Sequence, residues 1–162
     1  MIQVLCVCLG NICRSPTAEA VLRHKLMEAG LEQHVFVDSA GTGGWHIGDS
    51  PDQRAQQVAS DEGYALIHEL RGRQISIEDR QNFDYIYVMD SNNMRDVQAL
   101  FAQNPEKEGQ AQLNYFLGHS DYSDKNVPDP YYGERQDFED MLTLIEQGAD
   151  DVIAFLKQQH GL

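Results

Sequence analysis

Hydrophobic positions fall along this chain in two alternating rhythms. Residues 2–8, Ile2-Gln3-Val4-Leu5-Cys6-Val7-Cys8, are apolar except at Gln3, which reads as a strand covered on both faces in a parallel sheet. A loop, Leu9 to Arg14, follows. Ser15 is then placed to cap a helix, with Pro16 in its first turn and Glu19 close behind, both suited to a helix start. Apolar positions 18, 21, 22, 26 and 29 recur at helical spacing up to Gly30, a residue type that ends helices. Strand and helix then alternate again. Val35 to Asp38 predicts a short strand running into the glycine-rich loop Ser39 to Ser50, and Pro51 opens a helix that ends near Gly63. Residues 73–77 read as an extended connection before a short helix. Phe83 to Met89, aromatic and β-branched, predicts a third strand, and Asp90 or Ser91 caps a helix reaching Phe101. Gln112 to Leu117 predicts a fourth. A polar loop with Gly118, Asp121, Asp124, Pro128 and Pro130 leads to a last helix from Glu134 to Gln159, apolar at 138, 141, 142, 145, 149, 152 and 156. The alternation argues for a parallel, doubly wound α/β sheet whose site lies at the carboxyl ends of its strands.

Size and composition narrow this further. The chain has 162 residues, 41% of them hydrophobic, within the range of one compact domain, and no repeat or linker divides residues 1–162. Its formal charge of −14 is uneven, −4 over residues 1–80 and −10 over residues 81–162. That balance disfavours nucleic-acid and anionic-membrane partners, which are bound by Lys and Arg. No stretch approaches the roughly 18 apolar residues of a membrane span. Met1 to Leu9 lacks the basic leading segment and cleavage site of a signal peptide, so a cytoplasmic location is expected. Three cysteines bunched at Cys6, Cys8 and Cys13 suit reactive thiols better than a disulfide scaffold. Zinc ligation by the three would need a fourth ligand and a geometry that one strand and loop do not offer.

The chemistry concentrates in Cys8-Leu9-Gly10-Asn11-Ile12-Cys13-Arg14-Ser15. Five residues separate a cysteine from an arginine where a strand hands over to a helix. Backbone N–H groups of such a loop converge near a helix N-terminus, whose partial positive charge favours an anion the size of phosphate. Gly10 and Asn11 tolerate the left-handed backbone that a tight cradle needs. Arg14 adds a planar fork for two oxygens of a tetrahedral oxyanion. The same field acts on Cys8: a thiol of ordinary pKa about 8.5 falls to between about 3.5 and 7.5 in such surroundings, so a thiolate is expected at neutral pH. A nucleophile then lies under a bound phosphorus.

The run Val7 to Pro16, together with Asp38-Ser39-Ala40-Gly41, Met89-Asp90 and Asp129-Pro130-Tyr131-Tyr132, resembles the low-molecular-weight protein tyrosine phosphatases over nearly the whole chain. The resemblance implies one domain with a four-stranded parallel sheet and helices on both faces, with no metal and no organic cofactor. It implies Cys8 as the nucleophile that forms a cysteinyl-phosphate, Arg14 as the binder of the phosphoryl oxygens and Asp129 as the general acid and then base. Leu9, Gly10, Asn11, Ile12, Cys13 and Ser15 would form the phosphate cradle, with Ser15 also donating to the Cys8 sulfur. Asn11, Ser15, Ser39 and His68 would hold the loop, and Trp45, Tyr131 and Tyr132 would line the crevice for an aromatic leaving group. The implied partner is a tyrosine-phosphorylated protein, and a monomer is the default. Because Cys8 must be ionised while Asp129 is protonated, the rate is expected to be bell-shaped in pH and highest below neutrality.

Plainer readings stand beside these. Cys6 fits a buried small hydrophobe. The resemblance makes Cys13 a partner that traps Cys8 as a protective disulfide, with simple packing as the alternative. Asp129 before Pro130 is also a turn residue, Trp45, Tyr131 and Tyr132 could be ordinary half-buried aromatics, and Asp90 is most economically a helix cap. Thiol-dependent arsenate reductases share the fold and loop but relay a disulfide through downstream cysteines, and this chain has none after Cys13. In protein arginine phosphatases the position of Ile12 is typically Thr. A phosphate reader without turnover would need the cradle and Arg14 but neither Cys8 nor Asp129.

Overall fold

The computed structural model describes all residues from Met1 to Leu162. Its strands are β1 (Ile2–Cys8), β2 (Val35–Gly41), β3 (Tyr85–Val88) and β4 (Gln112–Tyr115). Its helices are α1 (Arg14–Glu28), α2 (Gln53–Asp61), α3 (Asp79–Asn82), α4 (Ser91–Gln103) and α5 (Arg135–His160), with a 3₁₀ turn at Ala65–Glu69. The strands form one parallel sheet in the order β2-β1-β3-β4. The apolar run that predicted a doubly covered strand is β1, which pairs with β2 on one side and β3 on the other.

Alternation along β1 divides the core in two. Val4, Cys6 and Cys8 point into the larger cluster with Val21, Leu22 and Leu26 of α1 and Phe138, Met141 and Ile145 of α5. Leu5 and Val7 point into a smaller one with Ile86 and Val88 of β3 and Val97 of α4. The period-2 pleat thus covers the sheet on both faces. No helix is long and apolar enough to cross a membrane.

Several boundaries differ from the pattern. β2 runs three residues beyond Asp38 because Ser39, Ala40 and Gly41 continue its pairing with β1. β3 is shorter than Phe83–Met89, and β4 stops at Tyr115, where the ladder to β3 ends at Val88. Ser15 does not cap α1. Cys13 occupies the cap position without a side-chain bond, α1 begins at Arg14, and the Ser15 hydroxyl turns to the loop instead. Glu19 lies beyond the first turn and is buried, so the helix-dipole reason for its place does not hold. Ala29 is exposed as the C-cap residue of α1. α5 starts one residue after Glu134, its cap, and ends at Gly161 in the left-handed conformation.

Candidate active site

The Leu9–Arg14 loop joins the carboxyl end of β1 to the start of α1, so Cys8 ends a buried strand and Arg14 opens a helix. Its carbonyls point outward: those of Cys8, Leu9 and Ile12 accept from the N–H groups of Thr42, Gly43 and Asp52 at 2.9, 2.9 and 2.8 Å. The Cys13 carbonyl takes the Thr17 hydroxyl at 2.6 Å. The N–H groups of Leu9, Gly10, Asn11, Ile12 and Cys13, in contrast, have no acceptor in the protein. Asn11 makes the turn with φ 58°, a left-handed conformation that Asn tolerates better than most residues. Gly41 lies so close that a Cβ there would stand 2.8 Å from the Leu9 carbonyl oxygen, so only glycine fits beneath the loop.

One backbone group sets the polarity of the network behind it. The Arg73 N–H, which can only donate, meets Asn11 Oδ1 at 2.9 Å. Asn11 Nδ2 therefore faces Ser15 Oγ at 2.7 Å and Ser39 Oγ at 3.1 Å and donates to both. Ser39 passes its own hydrogen to Glu19 Oε1 at 2.8 Å. Ser15 has one hydrogen left, directed to Cys8 Sγ at 3.0 Å, with the Ala40 carbonyl at 3.3 Å as the alternative. His68, which the resemblance placed in this network, is exposed and bonds Gln56 Oε1 at 2.8 Å; Arg73 and Glu19 complete it instead.

Arg14 is buried. Its Nη1 donates to Asp90 Oδ2 at 2.6 Å and to the Val127 carbonyl at 2.9 Å. Its Nη2 lies 3.7 Å from Asp129 Oδ2, and its Nε is buried without a partner. Burial opposes the guanidinium charge, but Cys8, the Asp90 bond and Asp129 overcome it and raise the Arg14 pKa. Asp90 serves twice: Oδ1 caps α4 through the Asn93 N–H at 2.8 Å, and Oδ2 holds Arg14. The cap was legible in the sequence; the second duty was not, because one local role already accounted for the residue.

A cleft of about 230 Å³ opens over the loop, lined by Cys8, Leu9, Gly10, Ile12, Cys13, Arg14, Trp45, His46, Asp129, Tyr131 and Tyr132. It brings together the nucleophile, arginine and acid candidates with all three aromatic ones. Asn11 and Ser15 stand behind its wall. Trp45 and Tyr132 are largely exposed at the rim, and Tyr131 meets Tyr132 edge to face at 4.9 Å. His46, paired with Asp49 at 3.1 Å, escaped the sequence reading. All three cysteines are free and buried. Burial pushes the Cys6 and Cys13 thiols up, as suits packed thiols, and negative neighbours add to it. A larger cavity of about 430 Å³ beside the start of β2 shares no residue with this cleft. Size favours that cavity, but the unpaired donors and the buried arginine belong to the smaller one. No group of three or more His, Cys, Asp or Glu residues is placed to hold a metal ion.

Comparison with known proteins identifies the family. A family model for low molecular weight phosphotyrosine protein phosphatases matches residues 3–161. The low molecular weight protein-tyrosine-phosphatase YfkJ of Bacillus subtilis is 40% identical over 162 residues, the whole length of both chains. The crystal structure of YfkJ superposes with a TM-score of 0.87 at 38% identity, covering 98% of this chain and 96% of that one. The crystal structure of DARP, a drosophila arginine phosphatase, gives 0.89 at 30% identity, covering 96% and 98%. With its fold and almost its full length matched, this chain belongs to the low molecular weight phosphotyrosine protein phosphatase family.

Proposed function

We propose that the protein hydrolyses phosphotyrosine in protein substrates by two in-line transfers through Cys8. The observation that carries this reading is the set of unpaired donors around the sulfur: five loop N–H groups and the buried Nε of Arg14. Preorganised donors of this kind stabilise charge as it spreads over the equatorial phosphoryl oxygens. The Cys8 sulfur attacks phosphorus while the phosphorus–phenolic oxygen bond breaks, and the Asp129 carboxyl gives its proton to that oxygen. Water then attacks phosphorus, Asp129 takes up the water proton, and the sulfur–phosphorus bond breaks to return the thiolate. Ser15 donates to the sulfur in both the starting and the departing state. The aromatic rim of Trp45, Tyr131 and Tyr132 receives the phenol ring.

The arginine-phosphatase alternative draws support from the likeness to DARP; Ile12 in the cleft wall, where those enzymes typically have Thr, favours the aryl ester. Activity on phosphotyrosine, phosphoarginine and phosphoserine side by side, with arsenate reduction as control, separates the readings. Turnover is expected on phosphotyrosine, and acid quench during turnover is expected to leave phosphorus bound to Cys8. Phosphoarginine as the better substrate, or no phosphorus on sulfur, overturns the proposal.

A further inference from the structure

Arg54 takes no part in the chemistry above, yet the two loops of the cleft meet at it. Asp52 caps α2 and ties it to the Cys8 loop: its N–H donates to the Ile12 carbonyl at 2.8 Å. Its carboxylate holds Arg54 at three points, the backbone N–H at 2.8 Å, Nε at 3.0 Å and Nη2 at 2.8 Å. The guanidinium so fixed turns its other hydrogens on the opposite loop. Nη2 donates to the Tyr131 carbonyl at 2.9 Å and Nη1 to the Gly133 carbonyl at 3.4 Å. Its carbon lies 4.6 Å from the ring centre of buried Phe138 and 5.6 Å from that of Tyr131.

Those two bonds are the only hydrogen bonds joining residues 128–133 to another segment. Pro128 and Pro130 have no N–H, and the Gly133 N–H turns back to the Pro130 carbonyl at 2.8 Å. Asp129, 42% exposed, is held by the Tyr131 N–H at 3.1 Å within the same loop. Beyond the loop its carboxyl meets only the Arg14 guanidinium, at 3.7 Å, so its place over the cleft follows the loop that carries it.

We infer that Arg54 is a positioning residue: braced by Asp52 against the Cys8 loop, it grips the Tyr131 and Gly133 carbonyls and sets the Asp129 carboxyl over the cleft. The inference rests on Asp129 as proton donor. A planar fork is needed, because one group must satisfy a carboxylate and two carbonyls at once, and lysine offers only a point of charge.

The test measures kcat/KM, which contains the transfer step but not hydrolysis of the intermediate, on phosphotyrosine and on 2,4-dinitrophenyl phosphate, whose leaving group needs no proton. Arg54→Met is expected to lose about 10- to 100-fold on phosphotyrosine and little on the activated ester, the signature of a misplaced acid. Inhibition by inorganic phosphate stays unchanged, since the cradle is untouched, and Arg54→Lys recovers part of the loss. In an Asp129→Asn background, Arg54→Met adds nothing further. Equal losses on the two esters, weakened phosphate inhibition, or losses that multiply in the double variant overturn the inference, because a merely structural arginine gives those results. Asp129→Asn alone separates the two ideas. If that single variant shows no leaving-group dependence, the assignment of Asp129 fails and takes the clamp with it. If it does while Arg54→Met behaves as wild type, the clamp alone is wrong.

Discussion

The two loops that face each other across the cleft are built in opposite ways. In the Cys8 loop, residues 11–15 are buried, the carbonyls of Cys8, Leu9, Ile12 and Cys13 are all taken, and Asn11 is bonded through both its oxygen and its nitrogen. In the Asp129 loop, Asp129, Tyr131 and Tyr132 are exposed, and one guanidinium supplies the hydrogen bonds to its surroundings. A group that must bind concentrated charge gains from donors fixed in advance, since rearranging them during the reaction would cost what they contribute. In the role proposed for Asp129, a group that hands over a proton and takes one back must meet a departing phenol and then a water. A lightly held segment serves it.

Four substitutions sharpen or break that contrast. Cys8→Ser is expected to lower turnover of any aryl phosphate by at least about 10⁴-fold while phosphate still binds, since every donor of the cradle remains. Persisting turnover, measured on the purified variant, refutes the chemistry assigned to the rigid loop. Asp129→Ala is expected to lower kcat/KM on phosphotyrosine by about 10²- to 10³-fold, and far less on dinitrophenyl phosphate. Its melting temperature moves by no more than about 1–2 °C, because an exposed loop residue contributes little stability. Equal losses on the two esters remove Asp129 from its role. Asn11→Ala attacks the other side. It puts alanine in a left-handed turn and strips partners from Ser15, Ser39 and the Arg73 N–H, for a loss of about 2–4 kcal/mol in urea unfolding. An unchanged unfolding midpoint means that the network does not stiffen the loop.

The smallest effect concerns Glu19. Burial pushes its carboxyl above the usual range and Asp38 adds to this, against the bonds from Ser39 and Arg23. The folded chain then holds this proton more tightly than the unfolded chain. The contribution is fully present below about pH 4.3, the ordinary glutamate value, and is lost as pH rises through the folded one. Glu19→Gln keeps an acceptor for Ser39 and does not ionise, so its unfolding free energy is expected to decline less over that window. Parallel curves for the two proteins exclude Glu19 as the source.

Much of the architecture was legible because the signals are local. An almost unbroken apolar run marks β1 as an inner strand, Asp90 marks the start of α4, and five residues between Cys8 and Arg14 at a strand–helix junction mark the cradle. What the sequence concealed depends on long-range contact. Ser15 has the chemistry of a cap, but Cys13, two residues before it, takes that position, and the Ser15 hydroxyl is drawn to Asn11 and Cys8 instead. His68 looks like a network member until the fold places it beside Gln56. Arg54 follows an N-cap aspartate, an ordinary exposed position; its importance comes from Tyr131 and Gly133, more than seventy residues away.

The pairing of β1 with a neighbour on each side has a consequence for how this molecule comes apart. Freeing the backbone that ends at Cys8 means unzipping two ladders, whereas residues 128–133 are tied to the rest of the chain by the two Arg54 bonds and the Arg14–Asp129 ion pair. Amide exchange is expected to be slowest in Val4–Val7 and to approach the unprotected rate at Asp129 and Tyr131. On the proposed mechanism, an opening of residues 128–133 would leave the oxyanion cradle intact while displacing the proton donor.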